Sequence, residues 1–402
     1  MTGYGNPAVT ESRGPMCPMG SSHPLSASPS VLVDAFDVAL MDLDGVVYRG
    51  SEAVPHASRA IASARAHGMR VVFVTNNALR TPDEVARRLA SFGVPAVPTD
   101  VITSAQAAAR VLAARLPGGA AVLVLGGRGL RDAVNDVGLR PVATVEEQPA
   151  AVVQGFDPDI DYARLSEAAL AIRAGAVWVA SNADATVPTE RGLMPGNGSL
   201  VAMLRTATGS EPIVVGKPER ALHEESVRRS GARYPLVVGD RLDTDISSAV
   251  RSGTPSLLVL TGVVGPGDLL RAEPLYRPTY LSADLRGLFA GHPSVVVNGD
   301  GVPPQGVEVG GGPRSDDVSA VCGSWVAQVR DSTLTWRRAG PTTRAGGTRG
   351  TVDGVLSADG MPPDDGLDAL RAACAAGWAA ADRGAPVRAL AGTRPPGCAD
   401  LG

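Results

Sequence analysis

Two aspartates separated by one residue, Asp42 and Asp44, close the apolar run Val38-Ala-Leu-Met41 and are followed by Gly45. An apolar run of strand length with no helical stripe reads as a strand buried on both faces. In an open parallel sheet, groups at the carboxyl end of a strand face the ligand crevice. Strand positions i and i+2 project to the same side, so the spacing places Asp42 and Asp44 across a short gap. Like charges that close need a cation or a shared proton. A solvated strand end with a turn is the plain alternative.

Three further polar clusters follow later apolar runs. Arg70-Val-Val-Phe-Val-Thr75 ends in Thr75 and Asn76. Ile213-Val-Val-Gly216 leads to Lys217, and Pro235-Leu-Val-Val-Gly-Asp240 ends in a carboxylate with Asp245 shortly after. Of the 37 lysines and arginines, Lys217 alone is a lysine. A chain-wide arginine bias explains the excess. It also marks one position where a compact ammonium was kept over a planar fork. A carboxylate nucleophile, a hard cation, and hydroxyl, amide and ammonium donors are what metal-assisted phosphoryl transfer requires. The ligands on offer are all oxygens, which points to Mg2+. Taken singly, each cluster has a plainer reading. Thr75-Asn76 makes an ordinary turn, Lys217 before a proline suits a surface, and Asp245 suits the start of a helix.

The elements that must position these groups alternate strand, helix, strand, helix, which predicts right-handed parallel crossovers. The expected fold is α/β, a doubly wound parallel-sheet core with an inserted α/β cap and a small C-terminal α+β segment. Residues 1–34 read as a disordered leader, rich in Gly, Pro and Ser. The core is expected from 35–104 and 209–290, and the cap from 105–208. Residues 291–319 read as a linker, and 320–402 as a hairpin plus an Ala-rich helix of unknown role. Within the cap, Ser181 to Gly198 reads as an irregular loop, of a length that is usually functional. His56, His67 and His223 read as helix-surface residues. Gly126-Gly-Arg-Gly129 lacks a full dinucleotide fingerprint and reads as a cap loop.

Composition narrows the partners. A formal charge of −4 and a pI near 5.8 give no basic face for nucleic acid. No apolar stretch is long enough for a membrane helix, and the first 30 residues do not have the pattern of a signal peptide. Cys17, Cys322, Cys374 and Cys398 are scattered without metal spacing, which fits a reduced, cytoplasmic setting.

Asp42-Leu-Asp-Gly-Val-Val-Tyr-Arg-Gly50, Val74-Thr-Asn-Asn77, Gly216-Lys-Pro218 and Gly239-Asp-Arg-Leu-Asp-Thr-Asp-Ile246 resemble, in order, the four motifs of the haloacid dehalogenase superfamily of phosphatases. The long insertion between the second and third motifs, including Ser181 to Gly198, is similar to the large α/β cap of its nitrophenylphosphatase-like branch. The resemblance spans about Ala35 to Ala290. It implies that Asp42 is the nucleophile and Asp44 the general acid and base. It implies Mg2+ held by Asp42, the Asp44 backbone carbonyl and Asp240, with Asp245 orienting that shell. Thr75, Asn76 and Lys217 would hold the phosphate. Asn182, Asp184, Thr186, Glu190 and Arg191 would form the substrate loop. The implied substrate is a small phosphorylated metabolite. Glycerol 3-phosphate is expected from overall similarity to actinobacterial-looking members, with phosphoglycolate and pyridoxal phosphate as alternatives. Caps of this branch often mediate pairing, so a homodimer is expected. A reading of another class makes the chain a regulatory or binding module that uses its C-terminal segment.

Overall fold

In a computed structural model of the chain, which describes residues 25–189, 191–298, 317–338 and 365–390, the apolar runs become one parallel sheet. Its six strands run in the order Tyr280–Ser282, Ser256–Val259, Pro235–Gly239, Val38–Met41, Arg70–Thr75, Val101–Thr103. Val38–Met41 is central, pairing in parallel with Pro235–Gly239 on one side and Arg70–Thr75 on the other. Its side chains alternate between two cores. Ala39 and Met41 pack with Ile61, Phe73 and Leu89, whereas Val38 and Leu40 pack with Ile102, Leu112 and Leu222. Helices on both faces explain the unbroken apolar run. Parallel direction brings Asp42, Thr75 and Asp240 to the same edge of the sheet.

A second, five-stranded parallel sheet follows the order Ile213–Val214, Val177–Ala180, Ala151–Gln154, Ala121–Leu125, Arg140–Val142. Helix Ser104–Ala113 joins the two sheets and opens on a Thr103/Gln106 capping box. Its small alanines share one apolar cluster with Val72 and Ile102 of the first sheet and Val122 and Val124 of the second.

Several expectations change here. Ile213–Val214, read as a core strand, extends the second sheet beside Val177–Ala180, and Val215 N–H still donates to Ala180 O. The loop Ser181 to Gly198 contains an antiparallel hairpin, Thr186–Thr189 with Gly192–Pro195. Its outer strand is largely exposed and lacks the alternation that betrays a half-buried strand. Part of the expected leader, from Leu25, is packed against the fold. Leu25, Leu32 and Val33 are buried, and Ser28 and His292 exchange backbone hydrogen bonds at 2.9 and 2.8 Å. Residues 1–24, with Cys17, lie outside the described residues.

The linker also changes. Its ends are strands, Val295–Asn298 and the start of Val318–Cys322, paired antiparallel, and 299–316 lie outside the described residues. With Trp325–Arg330, Thr333–Arg338 and Ala389–Leu390 they form a third sheet. The expected hairpin turns at Asp331 and Ser332, both left-handed (φ 48° and 60°), as a two-residue hairpin requires. Helix Asp368–Asp382 is apolar nearly all round and is buried on more than one side. Leu370 and Trp378 share a cluster with Val318 and Ala327 of the third sheet and Leu258, Leu269 and Leu281 of the core. Cys322 and Cys374 are both buried; Cys398 is not among the described residues. No helix among the described residues is long and apolar enough to cross a membrane.

Candidate active site

The strand Val38–Met41 stops one residue short of Asp42, whose N–H donates to Val238 O. The chain then curls tightly, with the N–H groups of Val46, Val47 and Tyr48 all directed to Leu43 O. Strand alternation therefore does not govern Asp44. Asp42 gathers instead with Asp240 and Asp245, with carboxylate oxygens within 4.8 Å of one another, and Asp44 is not part of that group. Gly45 and Gly262 lie against Asp240, and a Cβ at either position would collide with its carboxylate. Gly45 also holds φ 81°, so it meets both demands that favour glycine.

Lys217 stands inside the cluster. Its ammonium pairs with Asp42, donates to Asp245 at 2.7 Å and reaches Val74 O at 3.2 Å. Three acceptors use all three of its N–H bonds. Burial opposes the charge, but Asp245 and Asp42 outweigh it and hold the ammonium above its ordinary range. Burial raises the Asp42 pKa, Lys217 pulls it down and Asp245 pushes it up again. Burial, then Asp245 and Asp42, raise Asp240. One oxygen of Asp240 accepts Val263 N–H at 3.2 Å, while the other, Oδ1, is buried without a hydrogen-bond partner among the described residues. Leaving a buried carboxylate oxygen unmatched is costly. A hard cation bound there removes the cost and the mutual repulsion together. The all-oxygen donor set fits Mg2+.

Asp44 is exposed. Gly50 N–H lies 3.5 Å from its Oδ1. Burial raises its pKa, and the Gly50 N–H, Arg88 and Arg80 pull it back. Thr75 ends its strand and accepts Asn77 N–H at 3.1 Å, which leaves its own O–H to donate.

Asn76 is placed differently from expectation. Its Oδ1 accepts Lys217 N–H at 2.7 Å, and its Nδ2 donates to Lys217 O at 3.0 Å and to Asp184 at 3.2 Å. Its backbone carbonyl accepts Ser104 Oγ and Asn182 Nδ2. The side chain is committed to the backbone of Lys217 and ties core to cap, which leaves no side-chain donor spare for a phosphoryl oxygen. Asn182 is buried, and Asn197 Nδ2 donates to its carbonyl at 2.7 Å. Burial raises the pKa of Asp184, opposed by Asn76, Arg241 and Lys217. Thr186 and Arg191 lie exposed on the hairpin. Glu190 lies outside the described residues.

Some roles were not visible in the sequence. His223, read as a surface residue, is 8% exposed, and its Nε2 lies 3.0 Å from Thr254 Oγ1. It lines, with Leu40, Val74 and Val237, a cavity of about 20 Å³ behind Asp42, Lys217 and Asp245. Gly126-Gly-Arg-Gly129 is not a free loop. Gly127 precedes helix Arg128–Asp136, and Gly129 N–H donates to Leu79 O at 2.9 Å. A Cβ at Gly127 or Gly129 would meet Leu79 or the Arg80 backbone, so these glycines let the cap approach the core. Arg88 carried no signal beyond being a helix arginine, yet it reaches the Gly50 carbonyl.

Comparison with known proteins agrees with this geometry. Residues 39–140 match the haloacid dehalogenase-like hydrolase family and residues 214–288 a HAD-hydrolase-like family. The chain is 51% identical over 278 residues to the D-glycerol 3-phosphate phosphatase of Mycobacterium tuberculosis, covering 69% of this chain and 77% of that protein. It is 40% identical to a 5′-nucleotidase of Bacillus subtilis, over 60% of this chain and 93% of that one. The crystal structure of a glycerol phosphate phosphatase from Mycobacterium tuberculosis in complex with magnesium superposes with a TM-score of 0.73 at 42% identity, covering 91% of this chain and 96% of that one. With a parallel core sheet, carboxylates gathered around one buried lysine, and relatives of this identity and coverage, the chain belongs to the haloacid dehalogenase-like hydrolases.

Proposed function

We propose that the chain is a Mg2+-dependent phosphatase of small phosphomonoesters, with glycerol 3-phosphate as its substrate. The observation that carries this reading is the set of Asp42, Asp240 and Asp245 around Lys217, with Asp240 Oδ1 buried and unmatched. Asp42 attacks phosphorus and becomes an aspartyl-phosphate. Lys217 holds Asp42 in line and meets the charge of the phosphoryl group. The Thr75 hydroxyl donates to a phosphoryl oxygen. Asp44 gives its proton to the departing alkoxide, then takes one from the water that cleaves the intermediate. Asp42, the Asp44 carbonyl and Asp240 would hold Mg2+, with Asp245 orienting that shell. When bound, the cation offsets the negative charge of phosphate and carboxylates.

In this reading residues 105–208 act as the cap, 35–104 and 209–290 as the catalytic core. Support comes from Asn182 and Asp184, which reach across to Asn76. A cap seated over the site favours small substrates over macromolecular ones. Helix Tyr162–Arg173 exposes Tyr162 and Leu170, which supports pairing of two copies through the cap; sedimentation as a monomer would remove that part. A reducing, cytoplasmic setting is part of the same reading, with Cys322 and Cys374 both in the interior. The shared apolar cluster between core and C-terminal sheet disfavours a detachable regulatory module.

Phosphate release from glycerol 3-phosphate, phosphoglycolate, pyridoxal phosphate and a nucleoside 5′-monophosphate, with and without Mg2+, tests the proposal. Glycerol 3-phosphate is expected to give the highest kcat/KM. Release from none of them sinks the phosphatase reading, and preference for the nucleotide replaces the substrate. Asp42→Asn is expected to be folded and inactive.

A further inference from the structure

We propose that Arg88 is a positioning residue for the proton transfer at Asp44, an inference that rests on the phosphatase reading above. Asp44 lies where the chain leaves the sheet, before a small flap of Tyr48–Arg49 paired with Glu52–Ala53. Its placement depends on the turns of that flap. Tyr48 O accepts Gly45 N–H at 2.7 Å, and Gly50, at φ 55°, directs its N–H toward Asp44.

Arg88 grips both of these points from helix Pro82–Ser91. Its Nη2 donates to Gly50 O at 2.6 Å, and its guanidinium carbon lies 4.7 Å from the centroid of the Tyr48 ring. Tyr48 is stacked in turn on Phe92, four residues beyond Arg88, with centroids 4.9 Å apart and planes at 25°. Arg88 Nε is buried and has no hydrogen-bond partner among the described residues. The guanidinium is therefore held by the ring and the Gly50 carbonyl at the expense of its own satisfaction. Across the flap, Arg49 donates to Thr261 O, and Thr261 Oγ1 donates to Gly45 O at 2.6 Å. The flap is clamped from two sides, and Arg88 is the clamp on the side of the Gly50 amide.

The step that depends on this clamp is leaving-group departure. An oxygen of Asp42 forms its bond to phosphorus while the bond from phosphorus to the ester oxygen breaks. The electron pair of the broken bond stays on the ester oxygen, and the Asp44 carboxyl proton is delivered there. An alkoxide is a strong base and needs that proton; p-nitrophenolate is a weak base and leaves without it.

The test compares kcat/KM for glycerol 3-phosphate and for p-nitrophenyl phosphate in the full-length chain with Mg2+. This parameter covers the steps through leaving-group departure and excludes hydrolysis of the aspartyl-phosphate. Arg88→Met keeps bulk against Tyr48 but removes the donors and the charge. It is expected to lower kcat/KM on the order of tenfold or more for glycerol 3-phosphate and by less than about twofold for p-nitrophenyl phosphate. Arg88→Lys, which keeps a donor for Gly50 O, is expected to regain part of the loss on glycerol 3-phosphate. An equal fall on both esters indicates a merely structural role and overturns the inference, as does no fall on either. Should Arg88→Met not fold, Phe92→Leu loosens Tyr48 from the other side. It is expected to lower the alkyl ester selectively, and an equal fall again overturns the inference. A parent chain that cleaves neither of these esters nor any other ester of the panel above overturns the phosphatase reading and this inference with it. A parent that cleaves both, with variants that fall equally, overturns this inference alone.

Discussion

Lys217 donates to Asp245 at 2.7 Å, with the lysine side chain 8% exposed and the aspartate 2%. The second oxygen of Asp245 accepts Arg241 N–H at 3.2 Å. Asp245 therefore links the buried ammonium to the backbone beside Asp240, an arrangement suited to the orienting role proposed for it. Asp245→Asn keeps the shape and removes the charge. The Mg2+ concentration for half-maximal phosphate release is expected to rise on the order of tenfold to a hundredfold, as for other groups that orient metal ligands. A Mg2+ titration with an unchanged midpoint would contradict this place for Asp245.

Asn76 and its neighbour Thr75 divide structural from chemical work. Asn76→Ala strands the N–H and C=O of Lys217 and removes the donor to Asp184. The expected cost is about 3 kcal/mol of stability, the scale of buried polar groups left unmatched. Thr75→Val loses one turn hydrogen bond, about 1 kcal/mol, but removes the donor that the proposed function assigns to the transferred phosphate. Its kcat/KM is expected to fall about a hundredfold. Urea melts and steady-state kinetics on the two variants separate these outcomes; a stable Asn76→Ala protein or a fully active Thr75→Val protein contradicts the assignment.

The gathering of Asp42 and Asp240 was legible because each follows an apolar run whose composition allows little but a buried strand; Lys217 follows Ile213–Val214, a partly buried edge strand of the second sheet. Such positions carry their meaning locally. The role of the Asn76 side chain was not legible, because its partner, Lys217, lies 141 residues away. Val101–Thr103 and Tyr280–Ser282 escaped notice as strands because three residues are too few to show a period. Leu25 to Val33 looked like part of a Ser/Pro-rich tail, and only pairing with His292 shows why it is ordered. The helix Asp368–Asp382 did carry a signal. Alanine, leucine, cysteine and tryptophan on every side mean burial on more than one side.

His223 predicts an acid-sensitive component of stability. Burial, followed by the charge of Arg220, lowers its pKa from 6.5 to about 4. Lys217, Asp42 and Asp245 face it across the small cavity. In the unfolded chain the imidazole takes its proton near pH 6.5, whereas in the fold it does so only near pH 4. Between those values the unfolded state holds more protons, so the contribution is complete above pH 6.5 and lost as pH falls toward 4. Its full size is about 3 kcal/mol. His223→Gln keeps a polar group for Thr254 and does not titrate. Urea melts at pH 7 and pH 4 are expected to show the variant gaining on the parent by about 3 kcal/mol. A stability difference that does not change with pH contradicts the assignment.

The C-terminal sheet is predicted to unfold together with the core, because each sends an arginine into the other. Arg277 of the core forks onto Asp382 at 2.7 and 2.9 Å, donates Nε to Ala272 O at 3.0 Å and lies 5.2 Å from the Trp378 ring. Arg371 of the C-terminal helix donates to Leu281 O of the core at 2.6 Å. Arg277 is 5% exposed at its side chain, so Asp382→Ala leaves a buried guanidinium without its counter-charge. The expected loss is about 3 kcal/mol, the low end for a broken buried pair because Asp382 itself is partly exposed. Three of the four tryptophans, Trp325, Trp336 and Trp378, lie in the C-terminal segment and the fourth, Trp178, in the second sheet, so tryptophan fluorescence reports chiefly on the C-terminal segment while phosphatase activity follows the core. In the parent chain the two signals are expected to be lost at the same denaturant concentration. Fluorescence lost well before activity would mean that the sheet is a separable module, and Asp382→Ala would then lower the first midpoint without moving the second.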